Sequence, residues 1–251
     1  DWQNLTITEG IEPAALAIDD DLDLHVVGNA AIDLGPGYLV AVTNDLVLDI
    51  GEVTGADAAS DPDISFTDAD VISFSLGASS IWIGEGGELN DVSDPAIYSD
   101  DIVVAGTGAK GFLGELTSVD ILSVTDLGDD GTEGGTGVNE DLDYLGVIAT
   151  GMAGESVGFD EFFVLRFWDT TLKLNQVDPD ENAGVPRERM DWNSLEVTGV
   201  DITGNDVVDT TTGLDESLEL HLEGKASLYV YGGVVVANAG GTDISGGYSL
   251  T

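Results

Sequence analysis

The chain has 251 residues, of which 42% are hydrophobic, and it carries 49 Asp and Glu against 6 Lys and Arg, a formal net charge of −43. So many apolar residues support a sizeable buried core, which excludes a disordered acidic tail. A chain this acidic lacks the basic face that binds nucleic acid, and anionic membrane surfaces repel it.

The charge predicts that the chain folds in concentrated salt. No Lys or Arg precedes Lys110, so the negative charges of the first part of the chain are left to the solvent to screen. Screening acts beyond about 8 Å at physiological salt and about 3 Å at 1 M. We therefore interpret the chain as the product of an extreme halophile, and we expect most of its carboxylates to serve solvation rather than chemistry.

Apolar and polar residues alternate along most of the chain, which is typical of β-strands. Strands are predicted, in chain order, at 5–10, 22–35, 37–51, 71–84, 102–108, 116–126, 144–151, 162–177 and 217–238. A short stretch at 12–20 is the best helix candidate. Many strands separated by glycine-rich turns predict an all-β fold, an antiparallel jelly-roll-like sandwich or barrel.

A break in the strand pattern predicts two domains. Residues 176–191 combine Pro, Gly and Asn with Arg187 and Arg189, which is typical of a linker. We predict a jelly-roll-like β domain at 1–180, a linker at 181–190 and a small β domain at 191–251.

The small domain repeats the first strands of the large one. DWQNLTIT (1–8) matches DWNSLEVT (191–198), and LDLHVVGNAAIDLGPGYLVA (22–41) aligns without a gap on LELHLEGKASLYVYGGVVVA (218–237). We interpret this match as an internal duplication. About sixty residues in one thin sheet bury too little surface to be stable alone. The small domain therefore needs cover from the first domain, from a neighbouring subunit or from further chain.

Candidate catalytic residues are few. His25 and His221 occupy equivalent places in the two copies, inside apolar strands, which favours a role in the fold. Neither is accompanied by a G-x-S-x-G elbow, and no phosphate-binding glycine motif lies between a strand and a helix. The chain has no cysteine, so thiolate chemistry is excluded. We expect no enzymatic activity and no bound cofactor.

One acidic loop is a candidate metal site. DDGTEGGTGVNE (129–140) resembles an EF-hand loop in outline, and it implies Ca²⁺ ligands at Asp129, Glu133 and Glu140. It departs from that pattern at Gly131, where a third acidic or amide side chain is usual. In a chain with so many acids, the alternative is a plain solvated loop.

These observations lead to a structural rather than a catalytic hypothesis. We expect a subunit of a self-assembling particle, favoured as a virion shell protein, whose partners are copies of itself and related shell subunits. The alternatives are an exported cell-surface filament or layer subunit joined by β-strand addition, and a Ca²⁺-dependent adhesion or carbohydrate-binding module. We expect it in a virion or at the cell surface, in high salt, without nucleic acid and without direct membrane insertion.

Overall fold

The computed structural model describes residues 21–35, 37–57, 64–90, 101–126, 142–159, 162–179, 188–211, 213–230 and 233–244. They form eleven strands: β1 Leu22–Leu34, β2 Leu39–Asp57, β3 Ile64–Leu76, β4 Ser79–Asn90, β5 Ile102–Leu116, β6 Ser118–Asp126, β7 Leu142–Val157, β8 Phe163–Pro179, β9 Leu195–Gly199, β10 Leu220–Val230 and β11 Gly233–Ile244. Within these described ranges, a 3-10 turn covers Asp206–Val208. Among these residues, no helix is long and apolar enough to cross a membrane.

All the strands belong to one antiparallel sheet. Strands β2, β4, β5, β7, β6 and β3 are joined by hydrogen bonds in a ring. Strands β1 and β9 pair with β2 outside this ring, whereas β8, β10 and β11 continue the sheet from β7. This arrangement confirms the prediction of an all-β, antiparallel fold of the sandwich or barrel type.

Three pairs of strands lie end to end. Strands β3 and β4 follow each other along the same edge of β2 in one register, with a break at Gly77 and Ala78. Strands β5 and β6 follow each other along β7, with a break at Thr117. Strand β9 continues the line of β1 along the other edge of β2. We call each position across the sheet a lane, so the eleven strands fill eight lanes: β1 with β9, β2, β3 with β4, β5 with β6, β7, β8, β10 and β11.

The sheet carries two hydrophobic clusters. Strand β2 contributes Val53 to the larger cluster and Val40 to the smaller one. Between these two positions the register of β2 with β1 shifts, at Gly28 and Ala30 of β1. The smaller cluster is completed by Trp82, Val103 and Ala109.

The segment from 188 to 218 covers the face that carries the larger cluster. Its buried apolar side chains are Met190, Trp192, Val200, Ile202, Val207 and Leu214. They pack with residues of β2, β3, β6 and β7 in one cluster, and Gly146 on β7 lets the Trp192 ring approach, because a Cβ there would lie 3.0 Å from it. The cover that the thin second repeat requires for this segment is therefore supplied by strands of residues 1–180.

The two copies of the repeated hairpin lie at opposite ends of the sheet. One is β1–β2, and the other is β10–β11, the last two lanes. Both hairpins are irregular at equivalent glycines, since the register shifts just after Gly28 in the first and just before Gly224 in the second. The hairpins differ in where their strands meet: Leu34 pairs with Leu39 in the first, whereas Val230 pairs with Gly233 in the second.

Candidate functional site

A cleft of about 400 Å³ opens beside β1 and contains the first of the two histidines. His25 Nδ1 is hydrogen-bonded to Asp49 Oδ1. The His25 side chain is half exposed, at 52%, whereas Asp49 is largely buried. His25, Asp49 and Ser73 are direct neighbours across β1, β2 and β3. The sheet thus brings a histidine, a carboxylate and a hydroxyl into one row.

The order of this row does not suit nucleophilic catalysis. In a Ser-His-Asp triad the imidazole lies between the hydroxyl and the carboxylate, but here Asp49 lies between His25 and Ser73. The Ser73 hydroxyl accepts a hydrogen bond of 3.2 Å from Asn205 Nδ2. The second serine of the cleft, Ser75, donates one of 2.6 Å to Asp120 Oδ1. Both serines thus form hydrogen bonds with residues other than a histidine, as members of a polar network that lines the cleft.

Asp120 is the most perturbed carboxyl of this network. Burial raises its pKa, the nearby Asp206 carboxylate raises it further, and the hydrogen bond from Ser75 opposes the rise. The side chain of Asn205 caps the 3-10 turn by accepting from Val207 N and also donates to the carbonyl of Ile121. The network therefore fastens the 3-10 turn to the sheet at the edge of the cleft.

The second histidine occupies the equivalent place in the repeat. His221 lies on β10, and its direct neighbour on β11 is Asp243, as Asp49 is the neighbour of His25. Its Nε2 lies 3.5 Å from Glu223 Oε2. Both histidines thus stand beside acidic residues at corresponding positions of the two hairpins, as expected for residues of the repeated fold.

The remaining predicted sites divide into two groups. The Ca²⁺ candidates Asp129, Glu133 and Glu140, the predicted strand at 5–10 and the helix candidate at 12–20 lie outside the described residues. Within the part of the chain that the structure describes, no group of three or more His, Asp or Glu is placed to hold a metal ion. Trp82 and Trp192 are fully buried, which assigns them to packing.

The sheet also presents a long edge, which our sequence reasoning missed. Among the described strands, none pairs with the outer edge of β1 or with the outer edge of β11. Three apolar side chains of β1 are exposed: Leu24 at 42%, Val26 at 37% and Val27 at 64%. No Asp or Glu occurs from Leu24 to Ile32. The missed signal was this acid-free run, because an edge strand of an acidic protein usually carries charge.

Comparison with known proteins gives no relative. No family profile matches the chain, and neither a curated protein nor a solved structure is similar to it. The geometry of the described residues is therefore the basis for any proposal about function.

Proposed function

We propose that this chain is a non-enzymatic structural subunit of a self-assembling particle that forms in concentrated salt. The observation that carries the proposal is the outer edge of β1, with which none of the described strands pairs; on this 13-residue strand Leu24, Val26 and Val27 are exposed. Soluble proteins usually protect such an edge with charge, proline or short length. An edge left open and acid-free in a chain of net charge −43 is best explained by a partner that covers it.

The charge supports copies of the same chain as the partner only where salt is high. Two copies that each carry −43 repel each other strongly in dilute buffer, since exposed charges interact over about a Debye length. Molar salt shortens that range to about 3 Å, and contact between acid-free surfaces then becomes favourable. The proposal therefore includes a high-salt environment, in a virion or at a cell surface.

Two forms of assembly follow. The first is the shell of a virion, which the sequence analysis favoured because barrels and sandwiches suit capsids. The second is a cell-surface filament or layer, and the sheet offers a specific observation for it. The open edges lie in the first and last lanes, and contacts at opposite ends of a subunit extend from copy to copy.

Electron microscopy of the protein purified in about 3 M salt tests the proposal. We expect closed shells or extended fibres. Circular dichroism of the same sample, diluted to about 0.1 M salt, should show loss of the β signal. Monodisperse monomers at every protein concentration in high salt would contradict the proposal, and full folding at low salt without divalent ions would remove its high-salt premise.

A further inference from the structure

The internal repeat shows what the open edge of β1 is built to accept. Each strand has two edges, and β10, the counterpart of β1, uses one edge for its hairpin partner β11 and the other for β8. Strand β1 uses the corresponding first edge for β2. The outer edge of β1, with which none of the described strands pairs, therefore corresponds to the edge of β10 that holds β8, residue by residue from Val230–Phe163 to Leu220–Leu174; we call it the open edge.

The open strand is less charged than its covered counterpart. From Leu24 to Leu34 the first copy carries Asp33 as its one acid and no Lys or Arg, whereas the equivalent run of β10 carries Glu223 and Lys225. Val27, the most exposed apolar residue of β1, stands where β10 has Glu223. Edge strands normally carry more charge than inner ones. Strand β1 thus has the composition of an inner strand.

The last lane offers a matching strand. Strand β11 has 12 residues and β1 has 13, so the two are equal in reach, about 40 Å at 3.3 Å per residue. No Asp or Glu occurs from Gly233 to Gly241. Two acid-free strands can pair without bringing like charges face to face, which is destabilising across a sheet.

The directions of the strands also match. Every pairing between neighbouring lanes is antiparallel. Because the number of lanes is even, β1 in the first lane and β11 in the last run in opposite directions. When two copies are placed side by side in the same orientation, β11 of one therefore meets β1 of the next in the antiparallel sense that the rest of the sheet uses.

We propose that the open edge of β1 binds the β11 edge of a second copy, so that the sheet continues from one subunit into the next. This proposal rests on the proposed function and names the surfaces that perform it. The contact is heterologous, because it joins two different edges, and repetition gives a filament or a ring rather than a two-fold dimer. Main-chain hydrogen bonds supply the affinity, as in other cases of β-strand addition.

Cysteine cross-linking tests the contact, since the chain has no cysteine of its own. We would make Val27→Cys in β1 and, separately, Val234→Cys, Val236→Cys and Asn238→Cys along β11, which the strand pairings place on the same face of the sheet as Val27, so that the register between copies need not be known. A disulfide requires Cα atoms about 4.4–6.8 Å apart. In about 3 M salt with a mild oxidant, mixing Val27→Cys with one of the β11 variants should give at least about tenfold more covalent dimer than either variant alone.

The matched control is Ile83→Cys. Ile83 is an exposed apolar residue, at 54%, on the inner strand β4, whose two edges are occupied by β2 and β5. Mixed with the same β11 variants, it should give no covalent dimer above background. Equal cross-linking of Ile83→Cys and Val27→Cys would show collision rather than a specific contact, and it would overturn the proposal.

Other outcomes separate this inference from the proposed function. Dimers of Val27→Cys alone would indicate a symmetric β1–β1 contact, and a disulfide within monomers of a Val27→Cys, Val236→Cys double variant would show that one copy closes on itself. Either result overturns the inference. Particles seen by electron microscopy without any β1–β11 cross-link overturn the inference but leave the proposed function standing. Monomers under all conditions overturn both.

Discussion

The hairpins β1–β2 and β10–β11 share a sequence pattern but differ in their surroundings. Among the described strands, none pairs with the outer edge of β1, the first strand of one hairpin, whereas β10, the first strand of the other, lies between β8 and β11. Leu24 is 42% exposed on the open strand, while its equivalent, Leu220, is only partly exposed on the covered one. The comparison teaches that a duplicated hairpin keeps its need for a neighbour in both copies. Strand β10 has neighbours on both edges within the chain, whereas none of the described strands pairs with the outer edge of β1.

The largest effect should come from removing the anchor of the second hairpin. Trp192 belongs to the segment that leads to β10. Its side chain is fully buried, and its indole Nε1 donates to Asn175 Oδ1 at 3.0 Å. We expect Trp192→Ala to lower the free energy of unfolding by about 3–5 kcal/mol, the usual loss for a large aromatic core residue. Denaturant titration at constant high salt measures it.

Trp168→Ala on β8 is the matched control for that change. Its side chain is 37% exposed, so we expect a loss below about 1.5 kcal/mol. Equal losses for the two tryptophans would contradict the claim that residues 188–218 share one core with the first part of the chain.

A smaller loss of stability is expected from removing the Asn175 side chain, whose hydrogen bonds hold the same segment to β8. Asn175 is fully buried on β8, and its Nδ2 donates to the carbonyls of Met190 and Asp215, at 2.8 Å each. Asn175→Ala leaves those two carbonyls and the Trp192 indole without their partner, which costs about 1–3 kcal/mol per buried group where water cannot replace it. We expect a total loss of about 2–4 kcal/mol. A loss below about 0.5 kcal/mol would show that the segment is held by apolar packing alone.

The smallest effect should be a gain, at Asp120. Burial and the Asp206 carboxylate raise the pKa of Asp120 in the folded state, so its ionised form opposes folding. The stability that the protonated group contributes is fully present below the unfolded pKa of 3.8 and is lost as the pH rises through the raised folded value. We expect Asp120→Asn, which keeps an oxygen for Ser75, to stabilise the protein by on the order of 1 kcal/mol at pH 7.

The pH dependence separates this cause from general charge reduction. The difference between Asp120→Asn and the native chain should shrink as the pH falls towards 3.8, because the native Asp120 then becomes neutral as well. As a control, Asp201→Asn removes an exposed carboxyl whose pKa is lowered by hydrogen bonds from Thr203, and it should not stabilise the protein at pH 7. An equal gain from both variants would indicate a net-charge effect instead.

The sequence predicted where strands form better than it predicted which strands pair with each other. Alternation at 22–35 and 102–108 identified β1 and β5, because side-chain periodicity is local. The end-to-end order of β3 and β4 along β2 could not be read from the sequence, since pairing joins residues such as Leu46 and Leu76 that no local pattern connects. The role of His25 in the fold, which the repeat predicts, stays a prediction. That His25 stands beside Asp49 and opens a cleft depends on strand register, which the sequence does not specify.

The open edge illustrates the same limit. The short second copy of the repeat predicted that residues 191–251 need a partner. In the structure, strands β2, β3, β6 and β7 cover the segment at 188–218, and it is the outer edge of β1 with which none of the described strands pairs. The composition of β1 indicated this edge, since Val27 stands where β10 has Glu223. The significance of that difference followed only from the strands that lie on each side of β1 and β10.

Hydrogen–deuterium exchange of the full chain in about 3 M salt, at increasing protein concentration, tests the central claim most directly. Strand β10 has both edges paired within one copy, so its amides should be protected to the same degree at every concentration. The amides of β1 that face the open edge should exchange rapidly in dilute protein and become at least about tenfold slower as copies associate. Protection of β1 that is already complete in dilute protein, or that never rises with concentration, would contradict the account.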